Sequence, residues 1–361
     1  MSSVYTSARH RLLSRGAVYK ALPRAPPVWT RQFHIHNHTF IQQKNILPIK
    51  SLQKRSVSST AKMGAETNNE QFKLENLFNV KGRVALVTGG GSGIGLMAVQ
   101  ALAVNGAKVY IVGRTKEKLD RVAELYSTGR NGEGQIIPIV ADVSSKDDID
   151  RLVSEFKAKE DHLSILINNA GISGEARHDT EREHPEGLKE TLFDNNAATI
   201  EDWTSVYRTN VAQLYFMSSA FLPFLQKATD TIPGFSSTIL NITSISGIVK
   251  SAQHHFAYNA SKAAAIHLTK MLAYEISSSG LKIRVNNIAP GVFPSEMTAQ
   301  ESDEKQKSEL PKEKYENKVP ARRPGNDRDM GSAVLFAATN QYLNGQTVVV
   351  DGGYVLATGT V

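Results

Sequence analysis

Residues 83–95 read RVALVTGGGSGIG, an apolar run followed directly by a glycine-rich turn. The run 84–87 is rich in β-branched residues, as expected of a strand that is buried on both faces. The turn leads into LMAVQALA at 96–103, which we expect to be helical. In such a unit the glycines let the backbone approach a pyrophosphate, and the helix N-terminus supplies free N–H groups. The segment therefore predicts a dinucleotide site rather than a flexible linker.

The strand that follows this unit indicates which nucleotide is bound. The apolar run KVYIV at 108–112 is followed by Gly113 and Arg114, with no carboxylate before Glu117. An acidic residue at this point holds the ribose 2′-OH of NAD, whereas an arginine accommodates the 2′-phosphate of NADP. The sequence therefore predicts NADP, with a solvated surface position as the alternative for Arg114. The cofactor-binding residues expected from this part of the chain are Gly89, Ser92, Gly93, Ile94, Gly95 and Arg114.

Further apolar runs alternate with helical stretches along the rest of the chain. They occupy residues 136–140, 163–168, 238–242, 283–289 and 345–350. This alternation predicts an α/β fold, a doubly wound parallel sheet with helices on both faces, in one domain over residues 74–361. Asp142 and Val143 follow the first of these runs. We expect them to cover the adenine, with an ordinary turn aspartate as the alternative.

Tyr258 and Lys262 are four residues apart in Tyr258-Asn-Ala-Ser-Lys262. Residues at this spacing share one face of a helix. A nearby ammonium favours the phenolate, so we expect the pKa of Tyr258 to be lowered. A tyrosine of lowered pKa can act as an acid or base near neutral pH. The spacing is weak evidence by itself, and its weight comes from the other motifs.

Several short motifs follow one another in a characteristic order. They are Thr88-Gly-x-x-x-Gly-x-Gly95, Asn168-Asn-Ala-Gly171, Asn210, Ser244, Tyr258-x-x-x-Lys262 and Pro290-Gly291. Over roughly residues 81–354 this set resembles the short-chain dehydrogenase/reductase family, in its compact single-domain branch. The glycine pattern of the extended branch does not fit, because position 92 is serine. The resemblance implies a single-domain fold of the Rossmann type.

The resemblance also implies a set of catalytic residues. Tyr258 would protonate the carbonyl oxygen in reduction, and Lys262 would lower its pKa and hold the nicotinamide ribose. Ser244 would hydrogen-bond the substrate oxygen, and Asn210 would orient a water that connects Lys262 to solvent. Ser246 is an alternative for Ser244, which is preferred because Gly247 follows it at the family's spacing. The further cofactor contacts implied are Asn169, Ala170, Gly171, Tyr258, Lys262, Pro290, Gly291, Val292 and Ser295.

Two segments depart from the family pattern. Residues 174–200 are mostly polar or charged and form an insertion, which we expect to be a solvated loop near the substrate entrance. His178 and His184 lie in it, but no convincing set of metal ligands accompanies them, and we predict no metal site. Residues 292–326 interrupt the alternation of strands and helices. We expect them to form a lid over the substrate, with a solvated helix and its connecting loops as the alternative.

The charge of the chain is divided unevenly. Residues 1–65 contain eleven Lys or Arg and no Asp or Glu, so the remaining residues are mildly acidic although the net charge is +7. The predicted domain therefore lacks the basic surface expected of a nucleic-acid partner. The basic, serine-rich leader is typical of a mitochondrial transit peptide. Met63 as the working start codon, with a cytoplasmic protein, is the alternative. No stretch is long and apolar enough to predict a transmembrane span.

Two functions follow from these observations. The first is an NADP(H)-dependent oxidoreductase that interconverts a ketone and a secondary alcohol, for which the resemblance suggests a 3-oxoacyl thioester or another lipophilic ketone. The second is a catalytically silent, NADP-binding regulatory or scaffold protein. The filled positions 210, 244, 258 and 262 favour the first. The resemblance also implies a homo-oligomer, a dimer or tetramer.

Overall fold

Seven parallel strands form a single sheet at the centre of the molecule. The structure is a computed structural model that describes residues 69–129, 134–182 and 184–360, so the predicted leader lies outside the described residues. The strands are β1 (Val84–Thr88), β2 (Lys108–Gly113), β3 (Ile136–Val140), β4 (Ile165–Asn168), β5 (Thr238–Ile242), β6 (Arg284–Pro290) and β7 (Thr347–Val350). Their order in the sheet is β3-β2-β1-β4-β5-β6-β7. The predicted fold class is confirmed.

Helices cover both faces of this sheet. They are α1 (Leu74–Leu77), α2 (Gly93–Val104), α3 (Lys116–Tyr126), α4 (Lys146–Lys157), α5 (Pro185–Leu192), α6 (Ile200–Tyr207), α7 (Gln213–Ala220), α8 (Leu222–Thr231), α9 (Phe256–Ser278), α10 (Glu296–Ala299), α11 (Asp327–Thr339) and α12 (Tyr354–Thr358). Apolar residues of α2, α3 and α11 pack on one face, and those of α4, α7, α8 and α9 pack on the other. Every residue of β1, β4, β5 and β6 is buried, which explains the nearly continuous apolar sequence of β1. The strand β6 also buries the polar residues Arg284, Asn286 and Asn287.

The direction of strand order reverses between β1 and β4. The chain leaves β1 towards β2 on one side, and β4 pairs with β1 on the other side. In open parallel sheets the crevice beyond the carboxyl ends of such strands binds ligands. Thr88 and Asn168 end these two strands. The topology therefore places the glycine turn and the Asn-Asn-Ala-Gly motif together at this crevice.

A buried arginine joins the last part of the domain to the sheet. Arg284 begins β6, and only 4% of its surface is exposed. Its guanidinium donates to the carbonyl oxygens of Ala338 at 2.7 Å and of Ala337 and Leu343 at 3.3 Å. These carbonyls surround the C-terminal end of α11, where a cation complements the helix dipole. Burial lowers the pKa of Arg284 to about 10.

The insertion is more ordered than the sequence predicts. It contains α5, whose first residue is Pro185, a position where proline favours a helix start. His178 is buried, with its Nδ1 2.9 Å from the carbonyl oxygen of Thr191, and its ring packs edge-on against Phe256. The segment is therefore exposed or half-buried over most of its described length, as expected of a solvated loop, but it contains a helix and buries Ala176 and His178. The described residues contain no group of three or more His, Asp or Glu that could hold a metal ion.

Candidate active site

Hydrogen bonds with the residues that follow β4 fix the conformation of the glycine turn. The side-chain Nδ2 of Asn169 donates to the carbonyl oxygens of Thr88 and Gly89, at 3.0 and 3.1 Å. The hydroxyl of Thr88 accepts from the backbone N–H groups of Asn169 and Ala170. A Cβ added at Gly95 would lie 2.1 Å from the Gly89 carbonyl oxygen, so only glycine fits there. Gly95 thus acts through packing, and the turn is preformed.

A cavity of about 600 Å³ lies above this turn. Most of the predicted cofactor contacts line it, namely Gly89, Ser92, Gly93, Ile94, Arg114, Asp142, Val143, Asn169, Ala170, Gly171, Tyr258, Lys262 and Ser295. Gly95 and Pro290 do not line it. The cavity joins a glycine turn and helix N-terminus to an exposed arginine, and these groups fit the pyrophosphate and phosphate of a dinucleotide. At its other end are Tyr258 and Lys262.

A second cavity of about 310 Å³ adjoins the first. Tyr258 and Met297 line both cavities, and Ser244 lines the second. Gly291 and Val292, predicted to contact the cofactor, border this second cavity instead. The Tyr258 phenol therefore lies at the boundary between a space suited to a nucleotide and a space suited to a smaller molecule.

Burial sets the protonation state of the predicted acid. Desolvation raises the pKa of Tyr258, and a hydrogen bond with Ser244 opposes this effect only in part. The expected lowering by Lys262 is therefore wrong for the protein alone. The Lys262 ammonium lies 5.6 Å from the centre of the Tyr258 ring, which confirms that both residues share one face of α9. Tyr258 is protonated at neutral pH, as an acid must be before it donates.

Lys262 is a buried cation without a carboxylate partner among the described residues. Only 5% of its surface is exposed, and its Nζ donates to the carbonyl oxygen of Ile242 at 3.0 Å. Burial lowers its pKa to about 8. A single carbonyl satisfies only one of the three ammonium hydrogens. The remaining donors fit hydroxyl groups such as those of a ribose, and Lys262 lines the nucleotide cavity.

The structure distinguishes the two candidate serines. Ser244 is the second residue after β5, accepts from the backbone N–H of Ser246 at 3.1 Å, and interacts with the Tyr258 phenol. Ser246 instead donates to Oε1 of Gln253 at 2.8 Å. Gln253 in turn donates to the hydroxyl of Tyr354 at 2.9 Å. The geometry thus favours Ser244 as the partner of a substrate oxygen and gives Ser246 a structural hydrogen bond.

Asn210 lies in a π-helical turn, Arg208–Ala212, between α6 and α7. Its Oδ1 accepts from the backbone N–H of Ile172 at 2.9 Å, and its Nδ2 donates to the Ile172 carbonyl at 2.8 Å and to the Ser261 hydroxyl at 3.0 Å. A Cβ on Gly171 would lie 3.1 Å from Asn210 Oδ1 and 3.5 Å from Lys262 Nζ. Asn210 therefore positions the chain beside Lys262. The π-turn is a common device at functional sites.

Comparisons with known proteins identify this arrangement. The family model described as short chain dehydrogenase matches residues 83–306. The chain belongs to this family. It is 40% identical over 288 residues to the short-chain dehydrogenase/reductase PhomF of Diaporthe leptostromiformis, covering 78% of this chain and 94% of that protein. It is 34% identical to the rhamnolipids biosynthesis 3-oxoacyl-(acyl-carrier-protein) reductase of Pseudomonas aeruginosa, covering 77% and 98%.

Solved structures agree with the family assignment. The Pseudomonas aeruginosa RhlG/NADP active-site complex has a TM-score of 0.61 and 29% identity, covering 77% of this chain and 98% of that one. A putative short-chain alcohol dehydrogenase from Sinorhizobium meliloti has the same TM-score at 28% identity, covering 78% and 100%. As a short-chain dehydrogenase, the protein is an oxidoreductase that acts on carbonyl or alcohol groups with a nicotinamide cofactor.

Some residues of the dehydrogenase site were not predicted from the sequence. Lys118 and Glu296 line the nucleotide cavity and form an ion pair at 2.5 Å, although 178 residues separate them. Glu175 and Arg177 of the insertion line the second cavity. No motif marks these positions, because their roles depend on which distant segments meet. The insertion was predicted near the substrate entrance, and its first residues do border this cavity.

Proposed function

We propose that the protein is an NADP(H)-dependent reductase of a lipophilic ketone, with 3-oxoacyl thioesters as the foremost substrate class. The observation that carries this proposal is the protonated Tyr258 phenol, which lies at the wall shared by the two cavities with Ser244 beside it. A carbonyl in the second cavity can contact both hydroxyls. Proton donation and electrostatic stabilisation of the oxygen are the two tasks of a carbonyl reductase.

The residues divide the work of reduction between them. When bound, the nicotinamide supplies the hydride that adds to the carbonyl carbon. The C=O bond becomes a C–O⁻ single bond, and the Tyr258 hydroxyl gives its proton to that oxygen. Ser244 stabilises the developing negative charge by a hydrogen bond. Lys262 then stabilises the resulting phenolate, since an ammonium nearby favours the ionised form. Its lowered pKa also suits proton exchange with solvent.

Arg114 supports NADP rather than NAD as the cofactor. Its guanidinium is exposed at the edge of the nucleotide cavity, and no hydrogen bond or ion pair involving it is found among the described residues. No carboxylate of the β2–α3 turn takes the place of the acid that holds an NAD ribose. Arg114→Leu should weaken NADPH binding about tenfold and leave NADH binding unchanged. Arg328→Leu, at an exposed position of α11 that lines neither cavity, is the matched control.

The second cavity supports a lipophilic substrate. Ile245, Val292 and Met297 supply apolar walls, while Glu175 and Arg177 provide charges from the insertion. The names of the bacterial relatives, 3-oxoacyl-(acyl-carrier-protein) reductases, support the thioester class. Such a substrate would place its keto group at Tyr258 and its acyl chain against the apolar walls.

The test measures NADPH oxidation by the full-length chain. The loss of NADPH absorbance is recorded with 3-oxoacyl thioesters, steroid ketones and quinones as substrates. We expect turnover with NADPH and a 3-oxoacyl thioester, and its loss in Tyr258→Phe. Turnover with NADH alone would overturn the NADP assignment. Binding of NADPH without turnover on any ketone would favour the silent, nucleotide-binding alternative.

Two further properties belong to the proposal. A homo-oligomer is supported by the exposed apolar side chains on α7 and α9, which are Tyr215, Phe216, Met271 and Tyr274. Light scattering should give a mass of two or four chains, and a monomer would contradict this.

A mitochondrial location is supported by the acid-free, basic composition of residues 1–65. Fusion of these residues to a fluorescent protein tests it, and cytoplasmic fluorescence would favour Met63 as the start.

The remaining partners are expectations drawn from charge and hydropathy. The mildly acidic charge of the chain beyond residue 65 supports the absence of a nucleic-acid partner. Among the described residues, no helix has the length and apolar character needed to cross a membrane.

A further inference from the structure

The Glu296 carboxylate occupies a position where several donors converge. It is the first residue of α10 and lines the nucleotide cavity. It accepts from the Lys118 ammonium at 2.5 Å and from the Ser302 hydroxyl at 2.6 Å, and it also interacts with the Ser92 hydroxyl. Burial favours the neutral acid, but these donors outweigh it and hold the pKa of Glu296 below its usual value. Glu296 is therefore an anion at neutral pH.

The donors around Glu296 are the kind that bind phosphate. Ser92 lies in the glycine turn at the start of the twelve-residue helix α2. The stem of Lys118 lies against the same turn, because a Cβ on Gly91 would be 3.6 Å from the Cβ of Lys118. A cation, a hydroxyl and a glycine turn at a helix N-terminus together form an anion site. In the protein alone, Glu296 supplies the negative charge at this site.

We propose that the Glu296 carboxylate is an internal substitute for a cofactor phosphate, and that cofactor binding displaces it from Lys118. The inference rests on the proposed function, since it requires a phosphate-bearing nucleotide in the cavity. Two anions on one ammonium repel each other at close range. The phosphate takes over Lys118 and Ser92, and Glu296, whose side chain is 33% exposed, turns to solvent.

Displacement of Glu296 would reach the second cavity. Met297 and Thr298, the next residues of α10, line that cavity. The later part of the 292–326 segment is held by contacts that do not involve Glu296. The Tyr126 hydroxyl donates to the Lys305 carbonyl at 2.7 Å, and Lys307 pairs with Asp327 at 2.7 Å. Release therefore affects α10 and frees the Ser302 hydroxyl, which donates to Glu296, and it couples cofactor binding to the wall of the second cavity.

The test measures dissociation constants of the full-length chain for NADPH and NADH by fluorescence titration. Glu296→Gln removes the competing charge but keeps the length and shape of the side chain, so NADPH should bind more tightly, by up to about fivefold. Lys118→Met should weaken NADPH binding about tenfold. Glu301→Gln and Lys116→Met are matched controls, since both side chains are exposed and lie outside the cavity. Melting temperatures verify that each variant is folded.

The two nucleotides separate the possible sources of phosphate. If Glu296→Gln binds NADPH more tightly but not NADH, the phosphate that displaces Glu296 is the 2′-phosphate. If both nucleotides bind more tightly by the same factor, it is the pyrophosphate. Either result supports displacement. Unchanged or weaker NADPH binding in folded Glu296→Gln, or unchanged binding in folded Lys118→Met, overturns it. Failure of the wild-type chain to bind either nucleotide would instead overturn the proposed function.

Discussion

The ammonium of Lys262 lies 5.6 Å from the centre of the Tyr258 ring and donates to the carbonyl oxygen of Ile242 rather than to the phenol. The two groups are thus close enough to interact electrostatically without a direct hydrogen bond. In the protein alone, burial keeps the phenol protonated and lowers the pKa of the ammonium. In the proposed reduction, Tyr258 therefore begins as the acid, and Lys262 stabilises the phenolate that remains.

Replacing Tyr258 by phenylalanine removes the proton donor and preserves the ring. We expect Tyr258→Phe to lower kcat by about 10²–10⁴-fold, the range for general acid catalysis, and to leave the Kd for NADPH nearly unchanged. Steady-state kinetics and cofactor titration measure the two effects. Tyr274→Phe, on the exposed face of the same helix, should change neither. Substantial turnover by Tyr258→Phe would assign proton donation to another group.

Substituting Ser244 and Ser246 separately distinguishes their roles. Ser244→Ala removes the hydroxyl beside the phenol and should lower kcat about 10²-fold, the cost of one donor to a developing oxyanion. Ser246→Ala breaks the hydrogen bond with Gln253 and should have a small effect on kcat. Comparable losses of kcat in the two variants, measured at saturating substrate, would refute this division.

Burial of Lys262 has a consequence for stability against pH. Its pKa is about 8 in the folded protein and 10.5 in the unfolded chain, so burial of the charged form costs free energy below pH 8. Between pH 8 and 10.5 the unfolded chain binds more protons, and this contribution to stability therefore rises with pH. The total change is about 3 kcal/mol. Lys262→Met has no buried ammonium, so its free energy of unfolding should exceed that of the wild type at neutral pH. This difference should shrink as the pH rises through this window.

Chemical denaturation of both proteins at pH 7.5, 9 and 10 measures this change. The comparison cancels the titration of other groups because the two proteins share them. A constant stability difference between the wild type and Lys262→Met across these pH values would show that the lysine is not depressed in the folded state.

The buried Arg284, which lines neither of the two cavities, is expected to contribute to the stability of the fold. Arg284→Met removes the donors to the carbonyls of Ala337, Ala338 and Leu343, which stay buried. Unsatisfied buried groups cost free energy, so the free energy of unfolding should fall by about 2–4 kcal/mol. Lys282→Met, two residues earlier and exposed, should change it by less than about 0.5 kcal/mol. Equal stability of the two variants would argue against this role.

Sequence alone predicts the features that depend on local pattern. The apolar run before Gly89 becomes β1, and the i, i+4 spacing brings Tyr258 and Lys262 to one face of α9. Both follow from neighbouring residues, so no tertiary knowledge is needed. The same pattern gave the wrong direction for the pKa of Tyr258, because desolvation depends on segments that pack around the phenol.

Features that depend on contacts between distant segments cannot be predicted from the sequence pattern. Glu296 and Lys118 meet although no periodicity relates them, and His178 is buried because α5 and the turn before α9 enclose it. A polar, charged stretch normally indicates a solvated loop. Here its residues bury one imidazole, and Arg177 lines the second cavity.

Because Met297 borders both cavities, the two ligands share a wall. Enlarging or shrinking this side chain to accommodate a different ketone would also alter the space in the nucleotide cavity. Redesign of substrate range through Met297 would therefore trade one affinity against the other. Arg177 borders the substrate side alone. Directed evolution towards new ketones is better started there, because this side chain does not line the nucleotide cavity.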